Sequence, residues 1–427
     1  MSINNKATSS GKCEPRTVLP LSPLRRKYVA RQPIFDRDKK VVAYELLFRT
    51  GFDNFFDVSC HQDNASSQIL FDSFLLFGMN ELAGGKKVFI NFTRNVLLSD
   101  SATAFPKELL VIELLESIEP DPQIIAQCGK LKEKGYHLAL DDFVFQPRFK
   151  PLMQFMDIVK IDFLDTPPDD CQKIFSRVNS SDIKFLAEKV ETNEVFEQAK
   201  AMGYTYFQGF FFSKPVIVSS NDISSLEVNM LNLLSKLFQP ETNMEEIEQI
   251  IKKDVALAFK LIRFINSASF GFSVEVHSIM HALNLLGIAE LRKWISLIVL
   301  SQLSHDEPDE LMVSSIIRAR FCELIAQHIR MTQRCAEFFL MGLFSQIDVF
   351  FERPMPDILL ELPLTTDIKQ ALLTGNGTMG QVLHFVTAYE RGDWTTIFTI
   401  ATHLELPEEI IPELYFDTIV WSNALKL

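Results

Sequence analysis

The feature that most constrains this chain is a unit repeated through its first half. A short apolar run ends in a polar residue, and a stretch with helical spacing follows. The runs are 41–47, 87–91, 109–113, 137–142, 157–162, 184–188 and 205–208. Between them Ile69, Phe74 and Phe77, then Ile124, Ile125, Cys128 and Leu131, then Val195, Phe196 and Ala199 recur at helical intervals. Strands alternating with helices imply parallel β pairing with helices outside. Seven or eight such units between residues 28 and 215 predict an α/β fold of the closed (β/α) TIM-barrel type rather than an open sheet.

The residues that end the runs carry the chemistry. In order they are Glu45, Asn91, Glu113, the pair Asp141–Asp142, Lys160 with Asp162, Glu188 and Gln208. After the first interval of 46 residues, the spacings from Asn91 onward are 22, 28, 19, 28 and 20, each about one β/α unit. In a barrel the C-terminal strand ends converge on one face, where active sites lie. Carboxylates gathered there repel one another and rise in pKa unless cations intervene. Oxygen donors alone favour Mg²⁺ or Mn²⁺ over zinc. A shared carboxylate such as Asp141 could bridge two ions about 3.5–4 Å apart, as in phosphoryl hydrolysis.

Beyond residue 215 the texture changes. A Ser/Asn/Asp-rich stretch, 219–225, reads as a linker or helix start. Thereafter Leu231, Leu234 and Leu237, then Ile247, Ile250 and Ile251, then Leu257, Leu261, Ile262 and Ile265 keep helical spacing. Further amphipathic stretches cover 279–303, 311–329 and 338–351, so an all-helical domain follows the barrel. The expected division is a basic, disordered leader over 1–27, a barrel domain over 28–218 and a helical domain over 226–427.

Composition narrows the partners. At 427 residues, 47% hydrophobic and 23% charged, the chain is an ordinary multidomain globular protein. Six cations against Glu14 give residues 1–27 a charge of +5, which leaves −18 of the chain's −13 total to the remainder. So acidic a body argues against duplex nucleic acid. No run reaches the ~18 apolar residues of a membrane span. The leader lacks the apolar segment of a signal peptide. Cys13, Cys60, Cys128, Cys171, Cys322 and Cys335 form no C-x-x-C pair, which suggests neither zinc nor disulfides. A reduced, cytoplasmic location is the expectation.

The motifs taken together resemble one family. Gln32-Pro33-Ile34 with Tyr44-Glu45-Leu46-Leu47-Phe48-Arg49 is similar to the opening of EAL cyclic di-GMP phosphodiesterases. Phe89-Ile90-Asn91, Ile112-Glu113-Leu114-Leu115-Glu116, Leu140-Asp141-Asp142-Phe143, Val159-Lys160-Ile161-Asp162, Ala187-Glu188-Lys189-Val190-Glu191-Thr192 and Phe207-Gln208-Gly209 through Lys214-Pro215 follow in the family's order. The later segments Phe264-Ile265-Asn266-Ser267 and His281-Ala282-Leu283-Asn284-Leu285-Leu286-Gly287 resemble the HDOD domain, a pairing similar to the YuxH-type signalling proteins.

The resemblance implies hydrolysis of cyclic di-GMP to the linear dinucleotide, with Mg²⁺ or Mn²⁺, two ions, as cofactor. It assigns Glu45, Asn91, Glu113 and Asp141 to one metal, and Asp141, Asp142 and Glu188 to the second. Lys160 matches the residue that orients or helps deprotonate the attacking water, and Gln208 a water-holding position. Gln32, Arg49 and Pro215 match substrate contacts, and Glu116 the anchor of the loop after Asp142. A homodimer and a protein partner for the helical domain are further expectations. Three positions depart from the family pattern: Leu46 replaces the alanine of Glu-Ala-Leu, Lys189 replaces a glycine, and 144–149 replaces a glycine-rich loop. Two other readings stay open: a barrel that senses cyclic di-GMP or docks a protein without turnover, and an enolase-like proton-abstracting barrel using Lys160.

The helical half offers less chemistry. His305-Asp306 reads as a chance doublet, His281 as a packed or capping residue, and 374–380 as a turn rather than a phosphate loop.

Overall fold

A computed structural model describes residues 27–50, 79–99, 101–144, 146–178, 182–213, 238, 244–253, 261, 265, 278–303, 308–362 and 364–425. The basic leader up to residue 26, the stretch 219–225, Pro215, His305, Asp306, Cys13, Cys60 and the side chain of Arg49 lie outside these residues.

Eight strands close into a barrel in chain order: β1 Lys27–Phe35, β2 Val41–Thr50, β3 Lys87–Phe92, β4 Leu110–Leu114, β5 His137–Leu140, β6 Ile158–Asp162, β7 Lys184–Glu188 and β8 Tyr206–Gln208. Helices α1 Met79–Ala83, α2 Arg94–Leu98, α3 Pro122–Glu133, α4 Lys150–Met153, α5 Pro168–Arg177 and α6 Asn193–Met202 lie between them. The ends of α3 and α6 are written locally. Asp121 accepts from the backbone N–H groups of Gln123 and Ile124 with Pro122 at the first helical position. Thr192 caps α6 at one end, and Gly203, at φ +105°, ends it at the other.

Parallel pairing holds from β2 through β8, but β1 runs antiparallel to both β2 and β8. This corrects the expectation of parallel pairing throughout. A tight connection forces the reversal, since only antiparallel strands can be joined by a hairpin. Asp36 closes it, its carboxylate accepting from the N–H groups of Asp38 and Lys40 at 2.9 Å.

The second half is helical: α7 Met244–Lys253, α8 Ile279–Leu303 (broken at Gly287), α9 Asp309–His328, α10 Cys335–Leu343, α11 Ile347–Phe350, α12 Met355–Glu361, α13 Thr366–Thr374, α14 Gly377–Arg391, α15 Trp394–His403 and α16 Ile411–Leu425. Helix α9 is its centre, buried along most of its length. Phe321 on α9 meets Phe385, Tyr389 and Tyr415 from α14 and α16 at 5.3–5.8 Å. Three expectations change here. The stretch 338–351 divides into α10 and α11. Only Gly375 and Asn376 of 374–380 make the turn, and Gly377 already begins α14. His281 is exposed in the first turn of α8, where its own backbone N–H donates to the Ser278 hydroxyl at 3.2 Å.

The two halves pack directly against each other. Strands β1 and β2 extend past the barrel mouth and lie among the helices. The Tyr28 ring meets Trp394 and Phe398 at 5.9 and 5.7 Å. On the other face, the Tyr44 hydroxyl donates to Glu310 of α9 at 2.8 Å, and the Arg31 guanidinium covers the Tyr44 ring at 4.4 Å.

Candidate active site

Period-two alternation builds the site. Ile34, Ala43, Phe89, Val111, Ala139, Ile158 and Leu186 form the apolar floor inside the barrel, with Tyr206 packed against it. Side chains two positions apart on a strand share a face. The next inward layer is therefore Gln32, Glu45, Asn91, Glu113, Asp141, Lys160, Glu188 and Gln208, one residue from each strand or its end. Because β1 is reversed, its contribution lies two residues before Ile34 rather than after it. The polar run-ends of the sequence thus meet in one ring.

Lys160 occupies the centre. Its ammonium lies 2.8 Å from Glu113 Oε1 and Asp141 Oδ1, 2.9 Å from Glu188 Oε1 and 3.2 Å from Glu45 Oε2. Three ammonium hydrogens cannot serve four carboxylates in good geometry. Gln208 Nε2 donates to Glu45 Oε2 at 2.8 Å and to Gln32 Oε1 at 3.1 Å, while Asn91 Nδ2 donates to Glu45 Oε1 at 3.2 Å. Glu113 Oε2, Asn91 Oδ1, Glu188 Oε2 and Gln208 Oε1 remain buried without a partner, and the Lys160 ammonium alone faces Glu113 Oε1 and Asp141 Oδ1. Gly209 permits this arrangement beside Gln208. It has φ +145°, and a Cβ there would lie 2.1 Å from Val190 O.

The electrostatics follow from burying like charges together. Burial, then Glu45, pushes the Glu113 carboxyl well above its usual range. Burial, opposed by Lys160 and reinforced by Asp141 and Glu45, lifts Glu188 to about 8. Burial pulls the Lys160 ammonium down, but Glu113, Glu188, Glu45 and Asp141 outweigh it and hold the pKa well above the usual lysine value.

Orphaned oxygens on an all-oxygen donor set fit a hard divalent cation. No group of three or more His, Cys, Asp or Glu side chains among the described residues stands arranged to hold one, however. The ammonium of Lys160 takes the point where the four carboxylates meet.

Asp142 and Glu116 stand apart from the ring. Asp142 is exposed at φ +42°, and lines with Glu116, Val144, Gln146 and Arg148 a cavity of about 340 Å³ beside Asp141. Glu116 makes no hydrogen bond among the described residues; Arg148 pairs instead with Glu119. The loop that departs from the glycine-rich pattern is tied down by aromatic packing. Phe143 and Phe149 are buried edge to face at 5.9 Å, and Phe143 N–H donates to Lys160 O at 2.9 Å. Lys189, at φ +53° where the family has glycine, turns away to pair with Asp162.

Sequence reasoning missed the residues that the helical half brings to the mouth. Gln32 Nε2 donates to the carbonyl of Arg391, at the end of α14, at 3.2 Å. The Arg391 guanidinium lies over the Phe210 ring at 5.2 Å. Nothing local marks Arg391, since it is one more cation at a helix C-terminus. Glu310, which meets Tyr44 on the outer face of the hairpin rather than at the mouth, leaves a faint signal as an acid beside Leu311 and Met312 on an apolar helix.

A family model for the EAL domain matches residues 83–215 and one for the HDOD domain matches 223–364. Uncharacterized protein YuxH of Bacillus subtilis is 37% identical over 94% of this chain and 99% of its own length. Cyclic di-GMP phosphodiesterase CdgJ of Vibrio cholerae is 35% identical over 93% of each. Among solved structures, an EAL domain protein from Listeria monocytogenes matches at 25% identity and TM-score 0.36, over 44% of this chain and 88% of its own. The manganese/cy-diGMP complex of Klebsiella pneumoniae BlrP1 (pH 9.0) matches at 23% and 0.38, over 45% and 56%.

Proposed function

Because the chain belongs to the family of proteins that join an EAL domain to an HDOD domain, we propose that its barrel hydrolyses cyclic di-GMP to the linear dinucleotide in bacterial second-messenger signalling. The observation that carries this is the ring of eight polar side chains with Lys160 at its centre. A relative similar over nearly its whole length is named a cyclic di-GMP phosphodiesterase. We take the barrel domain as 28–218 and the helical domain as 226–427, the latter regulating the barrel and receiving a protein partner, in the cytoplasm.

Glu45, Asn91, Glu113, Asp141 and Glu188 would hold the divalent ions, Mg²⁺ or Mn²⁺, with Asp142 at the edge of the second site. When bound, such ions supply charge stabilisation at the phosphoryl oxygens and lower the pKa of water. Lys160, held as an ammonium by its neighbours, donates hydrogen bonds. It orients the attacking water rather than removing its proton; Glu188 would be the proton acceptor once a bound cation had drawn its carboxyl back to the ionised form. Gln208 fixes Glu45 and Gln32 at once, which joins the catalytic ring to the substrate-contacting edge.

Binding without turnover is the second reading. It is favoured by the position of Lys160, whose ammonium already neutralises part of the carboxylate charge that a cation would otherwise meet. One experiment separates the two. Purified protein is given cyclic di-GMP with Mg²⁺ or Mn²⁺, the product is followed by chromatography, and binding is followed by calorimetry. Linear product that disappears in Glu45→Ala and Lys160→Ala supports the hydrolase. Tight binding with no product supports the receptor, and neither leaves the barrel as a protein-docking scaffold.

A further inference from the structure

We propose that Arg391, which belongs to the helical domain, is a substrate-binding residue of the barrel and holds a phosphate of the cyclic dinucleotide at the mouth; this rests on the reading of the site given above. The first observation is placement. Phe210 lies two residues beyond Gln208 and Leu47 two beyond Glu45, so both stand just outside the polar ring. The end of α14 touches both: the Arg391 guanidinium stacks on Phe210 at 5.2 Å, and a Cβ on Gly392 would lie 2.9 Å from Leu47 Cδ1. Its carbonyl accepts from Gln32 at 3.2 Å.

The second observation is how firmly that helix end is fixed. Arg318 of α9 grips Glu390 through both carboxylate oxygens at 2.8–3.0 Å, with side chains only 11% and 13% exposed. A buried bidentate pair sets both distance and orientation. Gly392, left-handed at φ +68°, ends the helix immediately afterwards. Arg391 is therefore delivered to the mouth by the neighbouring domain's core.

The third is charge. A dianionic ligand entering this site meets four carboxylates. Around the mouth, Lys160 is shared among them, Lys189 is paired with Asp162 and Asp165, and Arg148 is paired with Glu119. The exposed Arg391 guanidinium has no carboxylate partner among the described residues, and its planar fork matches phosphate oxygens. Stacking on Phe210 orders the group before the ligand arrives, which lowers the entropy cost of binding.

The test uses the full-length protein. Cyclic di-GMP and guanosine are titrated into wild type, Arg391→Ala, Arg391→Lys and Phe210→Ala by calorimetry, with thermal melting of each. Steady-state kinetics are added where product forms. Removing the side chain leaves the carbonyl that holds Gln32 in place. Expected is a loss of about tenfold or more in dinucleotide affinity for Arg391→Ala, appearing in KM rather than kcat. Arg391→Lys and Phe210→Ala should fall between it and wild type, guanosine affinity should not change, and melting of the two Arg391 variants should stay close to wild type. Wild-type binding with an unaffected Arg391→Ala overturns the proposal alone. Equal losses for guanosine and dinucleotide overturn the phosphate contact. A wild type that binds no cyclic di-GMP overturns both the proposal and the reading beneath it.

Discussion

Glu188 illustrates what the ring imposes on a single residue. An unfolded chain would release its proton near the ordinary 4.5, whereas the folded carboxyl is raised to about 8, mainly by burial. Between those values the folded state holds more protons than the unfolded state, so stability declines as pH rises. Glu113 pushes in the same direction. The metal-free protein is therefore expected to be most stable below about pH 5 with respect to this group, and to lose thermal stability up to about pH 8. Glu188→Gln should flatten that slope, as read by melting curves in chelator; a slope equally steep in the variant contradicts the shift. That Glu188 would matter was legible from its place at the end of an apolar run. That it shares one ammonium with three other acids was not, because the count of neighbours is set by five strands at once.

At the scale of elements, the β1–β2 hairpin links the two halves. Its alternation sends Gln32 and Glu45 inward, and Arg31 and Tyr44 outward to α9. Burial raises Glu310, while the Arg31 charge and the hydrogen bond from Tyr44 draw it back. Tyr44→Phe removes that donor from a buried carboxylate. It is expected to cost about 1–3 kcal/mol in urea unfolding at neutral pH, whereas a cost near zero would mean that Arg31 alone satisfies Glu310. Seven of the eight strands are visible in the sequence as apolar runs. The missing one, β1, is interrupted by Arg31, Gln32 and Pro33, residues whose partners lie on other elements. A strand whose polar positions are satisfied far away does not look like a strand.

For the molecule as a whole, barrel and helices share one interface. The Tyr28 hydroxyl of the hairpin donates to Glu408 O at 3.3 Å, and beyond the hairpin Asn423 Nδ2 donates to Glu81 O at 2.8 Å. All three tryptophans, Trp294, Trp394 and Trp421, lie in the helical half. Tryptophan fluorescence therefore reports chiefly that half, and nucleotide binding reports the barrel mouth with the Arg391 that the helical half lends it. The two signals are expected to be lost at the same urea concentration in a single transition. Loss of binding well before the fluorescence change would show that the halves unfold independently. Among the described residues no helix is long and apolar enough to cross a membrane.

The amino-acid sequence by itself determined the period-two and helical patterns, and with them the barrel, the helical second half and the identity of the polar residues at the strand ends. Those are local properties, written in residues close together along the chain. Only the tertiary structure decided that β1 runs backwards, that Lys160 stands among four carboxylates, and that Arg391 reaches the mouth of a barrel more than 180 residues away. Each depends on closure of the sheet or on packing between halves, and no short window of sequence contains the distances involved.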